Sequence, residues 1–457
     1  MKRMLAMMIV SYCVANTYAN TSNNESIFEK NVRELKEMIY SVFPKMQSTC
    51  REYYACGQSN KRKACCNKPL YLITVTRSSR NDEGESVLSP IMRGNEPEEV
   101  LNAIESAVNN VINHKSPQGS CKIIAFNEMF FSQEQALELN EGVSYNSILE
   151  LIKKFSKEIP NSIVLYNVLY KNEREAGLDE LLYLYALTLF RNSQGGMVMD
   201  EGDLSENLWN NIEKTFEDSD IKDKLRDWKE RVEDYISKQE IKENSDTFSF
   251  DDFKLSLGED DCKAANVRFL KNETACISGE TLLFTYKKST YCKENDGLIQ
   301  EGYIYDLGDG YPSLTSGNQP ATICDAISTE ICFDYELGVR KNNQWKSRRD
   351  SQGKVSKLHV IQSNSVEALP SSNKRPQGKP ILYADSDENF QDLLTVFGGM
   401  IYSHTTFKGK TIKLTIGDKK MNLCSEAEKI ELKAPEERGN SRSAKIKDTY
   451  TIWVHKV

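Results

Sequence analysis

Between residues 70 and 170 the apolar spacing alternates between two and about 3.6 residues, and few folds accept that alternation. Leu70 to Val75 is a short β-branched and aromatic run, the signature of a strand. Val100, Ile104, Val108 and Ile112 follow at i, i+4, i+8 and i+12, one face of a helix. Lys122 to Phe126 reads as a second strand. Ile148, Leu149, Leu151, Ile152 and Phe155 read as a second helix, and Ser162 to Tyr170 as a third strand. Strand, helix, strand, helix, strand predicts an α/β layer architecture. The chain of 457 residues is long enough for two or three average domains, or for one large α/β domain carrying insertions.

The alternation stops after residue 174. Residues 175 to 262 read as helical, with Leu208, Ile212 and Phe216 on one stripe and Leu225, Trp228, Val232 and Tyr235 on another. From residue 200 onward this stretch is strongly acidic, with Asp and Glu outnumbering Lys and Arg about two to one. A block of that kind is ordinarily a solvated helical surface. The functional alternative is a lid or docking module inserted beside an active site. Strand-like text resumes at Val267 to Leu270. Thr274 to Tyr286, broken at Ser278-Gly279, predicts a hairpin. Residues 293 to 320 and 363 to 383 read as loops. Further short strands are expected at Thr329 to Asp334, Leu358 to Gln362, Ile412 to Ile416 and Tyr450 to Val454.

The first residues have the pattern of a secretory signal: Lys2 and Arg3, an apolar stretch from Met4 to Val14, and Thr17-Tyr18-Ala19 with small residues for cleavage near Ala19. The expected location is therefore secreted or periplasmic, with no membrane span in the mature chain. There are twelve cysteines, and loss of Cys13 with the signal leaves an odd number. Ten are expected to pair and one to stay a thiol, with Cys332 the natural choice. Cys50, Cys56, Cys65 and Cys66 then read as a disulfide-stapled loop in an N-terminal arm, in which Val32, Leu35, Met38 and Ile39 recur at helical spacing. The net charge of −8 disfavours nonspecific nucleic-acid binding.

Three residues carry chemistry. Glu128 follows the strand Ile123-Ile124-Ala125-Phe126, Lys288 ends the hairpin after Leu283-Phe284-Thr285-Tyr286, and Cys332 sits in Ile331-Cys332-Phe333-Asp334 after another apolar stretch. A thiolate is a strong nucleophile. A carboxylate can take its proton and pass it to a leaving amine. An ammonium can stabilise developing negative charge on a substrate oxygen. Each follows an expected strand, so all three could share one sheet edge, where α/β enzymes gather their sites. A papain-like pairing of Cys332 with His404 is the rival arrangement, but the text around Cys332 does not fit it. No H-E-x-x-H, phosphate-loop or dinucleotide glycine motif occurs. Asn20, Asn24 and Asn272 open N-x-S/T sequons, of which Asn272 is assigned to the hairpin.

In this order the phrases Phe126-Asn127-Glu128, Asn272-Glu273-Thr274-Ala275 with Gly279 and Tyr286-Lys287-Lys288, and Ile331-Cys332-Phe333-Asp334 resemble the carbon–nitrogen hydrolase (nitrilase-like amidohydrolase) superfamily. The chain departs from the family pattern at Asn127, where proline is usual, at Ser289-Thr290, and at Tyr335-Glu336-Leu337. The resemblance implies a four-layer α-β-β-α sandwich. On that basis residues 1–19 are the signal, 20–66 a helical, cysteine-rich arm, and 67–174 the first half of the sandwich. Residues 175–262 are the acidic insertion, and 263–457 the second half with C-terminal strands. It implies an amidase-like hydrolase acting on a small amide or nitrile through a thioester on Cys332. Glu128 would be the proton shuttle, and Lys288 and the Phe333 backbone N–H the oxyanion donors. A second glutamate, Glu294 or Glu301, is implied by family practice, as is a homodimer. No metal or cofactor is implied. The alternatives are a non-catalytic interaction protein on the same fold and an acyltransferase using the same three residues.

Overall fold

The computed structural model describes residues 33–36, 39, 70–81, 83–84, 86–87, 96–115, 120–131, 145–193, 201–216, 222–240, 263–289, 302–308, 327–332, 334, 358–364, 380–386, 392–397, 400–403, 412–416, 419–423, 426–433 and 447–456. The expected alternation is present. It runs β1 (Leu70–Arg80), the short β2 (Ser86–Val87), α1 (Glu96–Lys115), β3 (Cys121–Phe126), α2 (Tyr145–Glu158) and β4 (Ser162–Gly177). Strands β1, β3 and β4 pair in parallel, as helix crossovers require. Three helices follow: α3 (Leu178–Ser193), α4 (Glu201–Thr215) and α5 (Lys222–Glu240). Then come β5 (Lys263–Ser278), β6 (Thr281–Lys287), β7 (Ile304–Tyr305), β8 (Ile327–Ile331), β9 (Leu358–Ser363) and β10 (Pro380–Asp385). The last strands are β11 (Asp392–Phe397), β12 (Met400–Ser403), β13 (Ile412–Ile416), β14 (Lys419–Leu423), β15 (Glu426–Lys433) and β16 (Lys447–Lys456).

Two sheets result. The first orders its main path β15-β16-β1-β3-β4-β5-β6, and the second β12-β11-β10-β9-β8. Period-two burial explains how they stack. Tyr71, Ile73, Val75, Ile124, Phe126, Val164 and Tyr166 point to one face and bury against Val100, Ile104 and Val108 of α1 and Ile148, Ile152 and Phe155 of α2. Their neighbours Leu70, Leu72, Ile123, Ala125, Ile163 and Leu165 point the other way, onto Ile327, Leu358, Val360, Leu382 and Ala384 of the second sheet. The described layers are therefore helix, sheet, sheet. The helical layer expected over the far face of the second sheet lies outside the described residues. Leu35 and Ile39, from the segment read as an arm, are buried in the inter-sheet cluster.

Several boundaries differ from the sequence reading. Strand β4 extends past Tyr170 to Gly177, and β5 begins at Lys263, so the two form a long antiparallel arm. Helices α3 to α5 lie on it. Leu181, Leu182, Tyr185, Trp209, Ile212, Phe216, Leu225, Trp228 and Val232 cluster with Leu169, Val267, Phe269 and Leu270 of the arm. Strand β10 occupies ground read as loop, because its first residue is a proline that opens the strand without breaking the ladder. No helix among the described residues is long and apolar enough to cross a membrane.

The cysteine arithmetic also needs correction. Cys121 and Cys276 carry thiols, as Cys332 does, and all three are buried. The first two pack in the apolar inter-sheet cluster, where a thiol behaves as a small hydrophobe. An odd count therefore does not single out one thiol. Cys50, Cys56, Cys65 and Cys66 lie outside the described residues.

Candidate active site

Three strand ends meet at the site. Glu128 follows β3 and is 1% exposed at its side chain, while Lys288 follows β6 and is fully buried. Lys288 Nζ donates to Glu128 Oε1 at 2.7 Å. The same oxygen accepts from Asn272 Nδ2, also at 2.7 Å. Asn272 thus serves the hairpin, as assigned, and serves the carboxylate too. The adjacent Lys287 turns away and is held by Asp306, at 2.9 and 3.0 Å. Alternation along β6 therefore separates two neighbouring lysines that look equivalent in sequence. A Cβ on Gly308 would meet Lys287 O at 2.4 Å, and the glycine uses that approach to donate its N–H to Lys288 O at 2.9 Å.

Glu128 is oriented by a polar lattice on both flanks. Asn127 Oδ1 accepts from Arg77 N at 2.9 Å, and Asn127 Nδ2 donates to Glu128 O at 2.9 Å. Met129, at φ 56°, donates its N–H to Asn167 Oδ1 at 2.8 Å. Arg77 donates to Phe130 O at 3.2 Å and pairs with Asp448 at 2.8 Å, with both side chains buried. Asp448 also accepts from Ser79. Asn127 thus makes two side-chain hydrogen bonds that brace Glu128.

Cys332 follows β8 of the second sheet, with φ 49°. A non-glycine residue in the left-handed region costs of order 1–3 kcal/mol, a strain that concentrates at functional turns. Its N–H donates to Gln362 O at 2.8 Å. The thiol packs with Ile331 and Tyr286. Asp334, two residues on, accepts from the Tyr286 hydroxyl and from Ser289 N, the latter at 3.1 and 2.9 Å. This carboxylate ties the turn bearing Cys332 to the strand end bearing Lys288. Glu128 and Lys288 are thus in direct contact, and the Cys332 turn joins them through Tyr286 and Asp334. Burial, together with the Asp385 carboxylate, holds the Tyr383 phenol above its ordinary value, and charge at Cys332 acts in the same direction. Behind the strand, His359 bridges Ser328 and Glu330, each at 2.9 Å. Phe333, Glu294, Glu301 and His404 lie outside the described residues.

Solved structures resemble the chain. An amidase from Nesterenkonia sp. is 9% identical, with a TM-score of 0.33 and coverage of 73% of this chain and 85% of the amidase. A mutant of the Nesterenkonia AN1 amidase, from the nitrilase superfamily, is 8% identical at TM-score 0.31, covering 70% of this chain and 76% of that one. A glutamine-dependent NAD(+) synthetase from Cytophaga hutchinsonii is 10% identical at TM-score 0.30, covering 73% of this chain and 40% of that one. No family model and no curated protein matches. The likeness is partial, so the chemistry below stands on this chain's own residues.

Several functional contacts have no counterpart in the sequence reading. Asn167, Thr274 and Gln362 are buried polar residues inside otherwise apolar strands. The available signal was a polar side chain at a core-facing position of an alternating run, which needs a partner when buried.

Proposed function

We propose that this chain is a carbon–nitrogen hydrolase that cleaves a small amide or nitrile through a thioester on Cys332. The observation that carries the reading is the buried contact of Lys288 with Glu128 at 2.7 Å, in a site that Asp334 links to the Cys332 turn. A buried carboxylate and ammonium are costly to keep, and functional sites are where such groups gather. For an amide, Glu128 takes the Cys332 proton while sulfur attacks the carbonyl carbon. Lys288 and the Phe333 N–H stabilise the oxyanion. The C–N bond breaks as Glu128 returns that proton to the amine. Water then attacks the thioester, Glu128 takes its proton, and the acid leaves as the thiol is restored. Secretion, a homodimer and the second glutamate, Glu294 or Glu301, belong to the same proposal. The test is turnover of a panel of small amides and nitriles, read by ammonia or amine release. Cys332→Ala should abolish it and Glu128→Gln should lower it by roughly 10²-fold or more. Retained turnover in Cys332→Ala would remove the mechanism.

A further inference from the structure

Gln362 stands at the junction of the two sheets. It lies on β9 and is fully buried, within an otherwise apolar inter-sheet layer. Four polar contacts converge on it. Its backbone oxygen accepts from Cys332 N at 2.8 Å. Its side-chain Oε1 accepts from Thr274 Oγ1 at 2.6 Å. Its Nε2 donates to Phe126 O, two residues before Glu128, at 2.7 Å, and reaches Leu165 O at 3.5 Å. From Thr274 the chain continues. Asn167 Nδ2 donates to Thr274 Oγ1 at 3.3 Å and to Asn272 Oδ1 at 2.7 Å, and Asn272 donates to Glu128. One residue therefore links the strained turn of Cys332, in one sheet, to Glu128, in the other.

A glutamine inside an apolar layer is retained at a cost unless every polar atom is satisfied, and here each is. Apolar packing alone joins two sheets but leaves them free to slide by fractions of an ångström. Directional hydrogen bonds between them remove that freedom, and catalytic geometry tolerates little of it. We propose that Gln362 is a positioning residue, which fixes Cys332 relative to Glu128 through the inter-sheet chain Gln362–Thr274–Asn167–Asn272. The proposal rests on the reading of Cys332 as the nucleophile and Glu128 as its proton acceptor.

The test uses the full chain, iodoacetamide as the probe and peptide mapping to follow three thiols at once. Cys121 and Cys276 are buried in the inter-sheet layer and report loosening of the core. Gln362→Met keeps the side-chain length and the backbone bond to Cys332 N, and removes the side-chain hydrogen bonds to Thr274, Phe126 and Leu165. Thr274→Val cuts the chain one step further on and leaves Gln362 in place. Tyr286 and Tyr383, which interact with Cys332, and Asp334, which binds Tyr286, are unchanged in both. The expected result is that wild-type Cys332 is alkylated while Cys121 and Cys276 stay protected. In both variants the Cys332 rate at pH 7 falls about tenfold, with the other two thiols still protected. A reactive wild type with an unchanged Cys332 rate in both variants overturns the positioning role and spares the nucleophile. Exposure of Cys121 and Cys276 together with Cys332 in both variants assigns Gln362 to the core alone and also overturns it. A folded wild type whose Cys332 does not react at any pH removes the nucleophile, and the proposal with it.

Discussion

Replacing Lys288 with methionine should strand a carboxylate. In the native protein Glu128 Oε1 accepts from Lys288 Nζ and from Asn272 Nδ2, each at 2.7 Å, and neither member of the ion pair is more than 1% exposed. Removing one partner of a buried pair costs about 3–5 kcal/mol, because the remaining charge is unpaired in a poorly polarisable site. Asn272 still donates, and a hydrogen bond to a charged group contributes about 1.5–3 kcal/mol, so the lower end, about 3 kcal/mol, is expected. Adding Glu128→Gln removes the charge and keeps the shape. The double variant should therefore recover at least about half of the loss, since a neutral replacement of a buried pair is often nearly free. Urea unfolding of the wild type, both single variants and the double variant closes the cycle, with unchanged m-values required for the comparison. A loss below about 1 kcal/mol, the scale of a surface pair, would refute the reasoning.

The remaining expectations use other parts of the fold. Asp448→Ala should cost about 3–5 kcal/mol in urea unfolding, because it leaves the buried Arg77 guanidinium without its carboxylate. Leu72→Ala, at the centre of the inter-sheet layer, should cost about 2–5 kcal/mol by the same measurement. Glu280→Gln should leave the unfolding midpoint unchanged, since its partner Lys157 is equally exposed. Burial lowers the Lys122 pKa below its ordinary 10.5, so the unfolded chain binds the extra proton in the window beneath that value. Wild-type stability should therefore rise with pH across that window relative to Lys122→Met, and a pH series of melting curves on both proteins checks the sign.

The parts of the fold legible in the sequence are those set by local pattern. The helix stripe of Val100, Ile104 and Val108 and the runs leading to Glu128, Lys288 and Cys332 needed only short-range periodicity. The β4–β5 arm was cut short because Lys171 to Glu175 is polar, and a two-stranded arm with partly exposed faces does not require apolar alternation. The lattice around Glu128 was illegible for a different reason. Gln362 and Phe126 are 236 residues apart and meet only because the two sheets stack, and Asn272 and Glu128 are 144 apart and meet only because β3, β4 and β5 are neighbours in one sheet. The thiol count misled because it took export to mean that ten of the remaining cysteines pair, whereas Cys121 and Cys276 are thiols in the apolar inter-sheet cluster.

The most direct measurement is peptide-mapped mass spectrometry of the wild type and Cys332→Ala after rapid quenching with small amides under turnover. The expected result is an acyl mass on the peptide bearing Cys332, formed and lost in step with amine release, and absent in Cys332→Ala. Turnover with the acyl mass on another residue, or turnover that survives in Cys332→Ala, would contradict the Cys332 thioester.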